Sequence, residues 1–197
     1  MNDKIKEIKQ SFRQMMDGSV AQSMRDKGVD YHLNWGVTLP RLREKADEIG
    51  KNYDLAIALW KENVRECKIL ATMVMPADVI LPEVVDIWME QTETVEIAEQ
   101  ASMNLYQYLP YAPMKAFEWI ASDKELYQLC GFHVLSRLFM NGQEPNERGI
   151  NEFLDQVRVA LQSPNVTVRK AALNSLNRFA GLGLVYERLA DNILRRL

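Results

Sequence analysis

The sequence predicts an all-α fold, a solenoid of stacked antiparallel helix pairs, on three observations. Apolar residues recur at three- and four-residue intervals along most of the chain, the period of a helix that buries one face. No stretch sustains the alternation of a half-buried strand. One helix-pair plan, clearest between Tyr31 and Val74, returns three more times downstream.

With 197 residues, 47% of them hydrophobic, the chain can bury a sizeable core and is not a disordered segment. One domain is expected over 1–197, with N-terminal helices at 1–30, repeats at 31–180 and a C-terminal helix at 181–197. Cys67 and Cys130 lie far apart inside helical patterns and read as buried thiols of a reducing compartment. The charged start, MNDKIKEIKQ, has no secretory apolar core, and the longest apolar run, Ile69 to Pro76, is too short to span a bilayer. A soluble, cytoplasmic protein is the expectation.

The elements follow in order. A helix over 3–16 carries Ile5, Ile8, Phe12 and Met15 and breaks at Gly18; a second runs through Val20 and Met24 to Gly28. After a loop to Leu39, Thr38 and Pro40 open a helix with Leu42, Ala46 and Ile49 inward, because proline costs nothing in a first turn. Gly50 and Asn52 end it. Leu55, Ala56, Leu59 and Trp60 stripe the next helix, and Asn63 is the expected cap of one carrying Val64, Cys67, Leu70 and Val74. Pro82 starts a helix through Val85 and Met89, and Thr94 caps one with Ala98, Ala101 and Leu105. Phe117 and Ile120 mark another, and Asp123 is the expected cap of a helix through Val134 and Leu138. Ile150 to Leu161 and a helix capped by Ser163, through Val168, Ala172, Leu176 and Phe179, precede a last stripe of Leu189, Ile193 and Leu197.

Laid over one another, the second helices align Val64, Val95, Tyr127 and Val168, and three residues on Cys67, Ala98, Cys130 and Ala171. The last set is small throughout, which lets neighbouring helices approach. The spacing of roughly 31 to 41 residues suits helical repeats, whose units bury their apolar faces only by stacking. The final unit, PNVTVRKAALNSL, resembles the second helix of a HEAT repeat, so a HEAT-like α-solenoid is preferred to a closed bundle.

The segments NWGVTLPRLREKADEIG and LWKENVRECKILATMV resemble the DNA alkylation repair family of HEAT-repeat DNA glycosylases. The matching residues are Gly36, Val37, Pro40, Arg43, Leu59, Trp60, Glu66, Leu70 and Ala71, and the late run Val168-Arg169-Lys170-Ala171 resembles the family's closing repeat. The similarity covers about residues 20–180. The resemblance implies excision of alkylated purines from DNA with no metal or other cofactor. It also implies a basic surface on the backbone, and a carboxylate with two tryptophans around the sugar of the lesion. Those residue types suit the chemistry: a carboxylate offsets oxocarbenium charge, and aromatic faces add cation–π attraction.

The chain departs from that pattern. The family's Trp-Asp-x-x-Asp segment falls on Val95-Glu96-Ile97-Ala98-Glu99, making Glu99 the candidate catalytic carboxylate and Val95 the replacement of the first tryptophan. The second tryptophan falls on Asn174. The family arginine falls near Leu129 or Cys130, and no Lys or Arg lies between Glu125 and Ser136. The expectation is a DNA-binding, repair-like scaffold whose catalytic pattern is lost or altered. The alternatives are an active glycosylase using Glu99 and a non-enzymatic protein-interaction module.

Charge bears on all three. From Ile69 to Met114 there is no Lys or Arg, while Asp78, Glu83, Asp86, Glu90, Glu93, Glu96 and Glu99 lie there. Such a stretch opposes phosphate unless it faces away, and it suits a protein partner. After Gln156, Arg158, Arg169, Lys170, Arg178, Arg188, Arg195 and Arg196 outnumber Glu187 and Asp191. Lys170, Asn174 and Arg178 share a helix face and, with Arg169 and Arg137, are the candidate DNA contacts; an ordinary solvated helix surface is the competing reading. The net charge of −3 is weak support for nucleic acid. His32 and His133 lack metal-ligand spacing, and there is no phosphate-binding glycine loop, CxxC pair or nucleophile elbow. Trp35, Trp60, Trp88 and Trp119 read as packing residues, with Trp119 also a candidate to stack on a base.

Overall fold

The structure, a computed structural model, describes residues 2–195. Arg196 and Leu197, both named above, lie outside the described residues. These residues form twelve α-helices and no strand: α1 Asn2–Gln14, α2 Gly18–Asp26, α3 Leu39–Ile49, α4 Tyr53–Trp60, α5 Arg65–Val74, α6 Pro82–Glu90, α7 Val95–Asn104, α8 Ala112–Ile120, α9 Glu125–Met140, α10 Glu147–Ala160, α11 Val166–Ala180 and α12 Leu184–Leu194. A 3-10 turn spans Tyr106–Tyr108.

The caps show how sequence sets the ends. Thr38 and Pro40 open α3, and Gly50 closes it at φ +71°, a value only glycine takes freely. Thr94 caps α7, its hydroxyl accepting from the Ile97 amide at 3.3 Å. Three expected caps fall one or two residues early. Val64 rather than Asn63 precedes α5, and Lys124 rather than Asp123 precedes α9. Asn165 rather than Ser163 caps α11, accepting from the Thr167 and Val168 amides. The Ser163 hydroxyl instead accepts from the Asn165 amide at 3.1 Å, which holds the turn that presents the real cap.

The chain divides into two compact units, Met1–Leu105 and Tyr106–Leu197. In unit 1, α4 packs on α5, and α5 lies between α3 and α7. Trp88 of α6 stacks on Trp60 of α4, ring centroids 4.2 Å apart and nearly parallel. In unit 2, α8 packs on α9, α10 on α8 and α11, and α11 on α9 and α12.

Each unit repeats itself at a nearly constant offset. In unit 1 hydrogen bonds join Trp35 to Glu66, Trp60 to Gln91 and Arg65 to Glu96, each pair 31 positions apart, and Thr72 to Asn104, 32 apart. In unit 2 they join Glu125 to Asn165, 40 apart, and Ser136 to Asn174, 38 apart. Each set links one helix near its start and again further along to the helix one repeat later. So α5 and α7 run parallel, as do α9 and α11, which is the geometry of stacked pairs.

The small-residue position is core in every repeat: Cys67, Ala98 and Cys130 are wholly buried and Ala171 nearly so. The position three residues earlier is not uniform, since Val64 and Val168 are buried but Val95 is 40% exposed. Two helices approach closely one residue beyond Cys130. A Cβ on Gly131 would lie 2.7 Å from the Ile120 side chain and 2.8 Å from the Ala116 carbonyl. No helix among the described residues is long and apolar enough to cross a membrane.

Candidate nucleic-acid interface

In unit 1 the loop before α3 is held from two sides. Gly36 sits at φ +73°, and a Cβ there would fall 2.1 Å from the Asp17 carbonyl oxygen, so no other residue fits. The Glu66 carboxylate, wholly buried, accepts from the Trp35 and Val37 amides at 3.2 Å each and from Arg65 Nη1 at 3.2 Å. Arg65, 2% exposed, also donates to the Val37 carbonyl at 2.9 Å. Gly36, Val37 and Glu66, three residues that carry the family resemblance, therefore work as a loop anchor.

Arg65 then reaches forward one repeat. Its Nε and Nη2 grip Glu96 at 2.8 and 2.6 Å, a planar two-point fork. The Tyr31 hydroxyl donates to the same carboxylate at 2.6 Å and lies 3.0 Å from the Thr94 hydroxyl. Burial pushes the Glu96 carboxyl up, but the Arg65 guanidinium and the Tyr31 hydroxyl outweigh it and hold the group below its ordinary value. Burial and the Glu96 carboxylate both push the Tyr31 phenol well above its own. Glu96 is thus spent on structure. Sequence reading passed over Arg65 and Tyr31; the available signal was the 31-residue interval between Arg65 and Glu96, equal to the repeat.

Glu99 lies one turn further along α7 and is half-buried. Val95, at the first position of that helix, is an exposed aliphatic, so no aromatic wall stands there. The seven carboxylates separate by role. Asp78, Glu83, Asp86, Glu90 and Glu93 are exposed, and Glu83, Asp86 and Glu90 fall on the outer stripe of α6, opposite buried Val85, Trp88 and Met89. Glu96 and Glu99 are half-buried.

The remaining candidates belong to unit 2. Lys170, Asn174 and Arg178 are exposed along one edge of α11, opposite its buried Val168, Ala171, Ala172, Ser175, Leu176 and Phe179. Asn174 donates to the Ser136 hydroxyl at 3.3 Å, which brings this edge beside α9 next to half-buried Arg137. Lys170, Arg178 and Arg137 make no ion pair among the described residues. Arg169 is different: its Nη1 donates to the Ser163 and Pro164 carbonyls at 2.5 and 3.0 Å and braces the turn before α11. Trp119 is 1% exposed, its ring centroid 5.0 Å from that of Tyr106, and belongs to the core.

The described residues contain no group of three metal-ligating side chains. A comparison with curated proteins finds no match. A solved structure described as "A new family of proteins related to the HEAT-like repeat DNA glycosylases with affinity for branched DNA structures" superposes with a TM-score of 0.85 at 19% identity, covering 96% of this chain and 81% of that one. That likeness fixes the fold as a HEAT-like α-solenoid. A family model described as "DNA alkylation repair enzyme" matches residues 8–181. The chain belongs to the DNA alkylation repair enzyme family.

Proposed function

We propose that the protein is a DNA-binding repair scaffold, working as one domain over 1–197, that has lost or altered base excision. The observation that carries this reading is the fate of the segment Val95 to Glu99. Its first carboxylate, Glu96, is committed to Arg65 and Tyr31, its aromatic position is an aliphatic residue, and Glu99 is the remaining carboxylate of the segment. A lone carboxylate offsets cationic charge at a sugar but does not hold the base. Asn174, at the second aromatic position, bonds Ser136 instead.

DNA contacts fall to the exposed edge of α11, Lys170, Asn174 and Arg178, with Arg137 beside it. Arg169 contributes charge while bracing its own turn. The structural relative described as having affinity for branched DNA makes branched DNA the first substrate to test. No cofactor is needed for this role, and a cytoplasmic setting agrees with two buried cysteines, Cys67 and Cys130, that are not joined in a disulfide.

The deciding experiment pairs two readouts. A salt series of binding to duplex, abasic and branched DNA runs beside single-turnover release of methylated purines. Binding that weakens with salt, without release, supports the reading. Robust release that disappears in Glu99→Gln restores an active glycosylase. Absence of DNA binding with capture of a protein partner by the acidic stripe of α6, flanked by exposed Leu81 and Ile87, favours the interaction module.

A further inference from the structure

Two helices expose aliphatic residues set among charges of a single sign, and the two signs are opposite. On α6, Val85, Trp88 and Met89 are buried, while Glu83, Ile87 and Glu90, spaced four and three residues apart, share the outer face. Ile87 is exposed there, as is Leu81 just before the helix. Glu90 stands in the last turn, where the helix dipole disfavours a carboxylate, so the needs of α6 itself do not account for it. On α11, Val166, Lys170, Leu173 and Asn177 recur along the exposed side, with Arg178 at its edge. Val166 and Leu173 are exposed, and the helix contains no Asp or Glu. Glu83, Glu90, Lys170 and Arg178 make no ion pair among the described residues.

Exposed aliphatics rimmed by charge are the pattern of a protein-binding surface. Like charges exclude either face from docking on its own copy. A two-fold pairing through α6 would bring Glu83 and Glu90 against carboxylates, and one through α11 would bring Lys170 and Arg178 against cations. Contact between the two unlike faces satisfies both the apolar and the charged groups.

We propose that the outer face of α6 docks on the exposed face of α11 of a second copy of this chain, with Leu81 and Ile87 against Val166 and Leu173, and Glu83 and Glu90 meeting Lys170 and Arg178. Every molecule carries one face of each kind, so the contact is head-to-tail and propagates with concentration. It covers the α11 edge, and assembly would therefore compete with DNA on the DNA-binding reading; the association itself does not rest on that reading. Sedimentation velocity without DNA, over a concentration series at low and high salt, tests it. The mean mass of wild type should rise with concentration at low salt and fall back towards a single chain at high salt. Glu83→Lys with Glu90→Lys should weaken association about tenfold or more, and so should Lys170→Glu with Arg178→Glu, because each sets like charges face to face. A chain carrying all four reversals should regain it. Ile87→Ser should weaken association at low salt by removing apolar contact. Should a reversal fail to fold, Glu83→Gln with Glu90→Gln reads the same loss. Wild type that stays a single chain at every concentration overturns the proposal. So does a four-fold variant that stays single, or an Ile87→Ser that associates as wild type does. A failure of the DNA-binding reading leaves every arm readable, because none contains DNA.

Discussion

At the scale of single residues, the decisive partition is between two glutamates three positions apart. Glu96 is gripped by Arg65 and Tyr31, and losing it would leave a 2%-exposed guanidinium without its fork. Removing one partner of a buried pair costs about 3–5 kcal/mol, so Glu96→Gln should lower the urea midpoint by that equivalent. The pH dependence has a definite sign. Because the folded Glu96 carboxyl titrates below its unfolded value, its contribution is fully present above that unfolded value, about 4.3, and is lost as pH falls through the lower folded one. Wild type should therefore lose more stability than Glu96→Gln on acidification, and parallel curves would count against the ion pair. Glu99 is the opposite case. Its extra methylene, relative to aspartate, moves the carboxylate by roughly an ångström, a displacement that can cost about a hundredfold in rate. Release of methylated purines in single-turnover assays should be absent or slow, and any release that survives Glu99→Gln would show that the site lies elsewhere.

At the scale of elements, two glycines and one helix edge carry the consequences. Gly131→Ala would drive a methyl into Ile120 and the Ala116 carbonyl, so α8 and α9 must separate; overpacking of this kind costs about 1–3 kcal/mol or more. Gly36→Ala adds a positive φ to a backbone clash and should unfold the loop before α3. Thermal melts of the two variants would check this, with Gly142→Ala as a comparison that has only the φ cost and open space around it. The edge of α11 predicts a different readout. Replacing Lys170 and Arg178 by Ala should leave stability nearly unchanged, since both are exposed, yet weaken binding across DNA sequences and lower the salt slope by about one per lost contact. Unchanged affinity and slope would make that edge an ordinary solvated surface.

At the scale of the whole molecule, a net charge of −3 restricts DNA binding to a few focused contacts. With Lys170, Arg178, Arg137 and Arg169 as the candidate cations, the total salt slope should be no steeper than about −4, at about 0.9 per contact. A slope beyond about −6 would mean that other cations take part. The repeats explain how such a fold tolerates substitution. Stability in a solenoid is shared among neighbouring units, and here each join has its own polar link at the repeat interval: Glu66, Gln91, Glu96 and Asn104 in unit 1, Asn165 and Asn174 in unit 2. Exposed positions such as Val95 lie outside those links and are free to change.

The amino-acid sequence by itself determined the helical class, the repeat interval, the buried small residue of each repeat and the family. All of these are written in local periodicity and in residues such as Gly36, whose backbone geometry admits nothing else. It also gives the residue types at Val95 and Asn174, because a residue type needs no coordinates. Partnership was decided only by the tertiary structure. Glu66, Glu96 and Glu99 look alike in sequence, yet one anchors a loop, one is locked to Arg65 and one lies half-buried a turn further along α7. The first two roles are set by groups 29 to 65 positions away, which no local pattern encodes. The caps misplaced at Asn63, Asp123 and Ser163 have the same origin: a polar residue near a helix start is common, and which one meets the free amides depends on how the preceding turn is held.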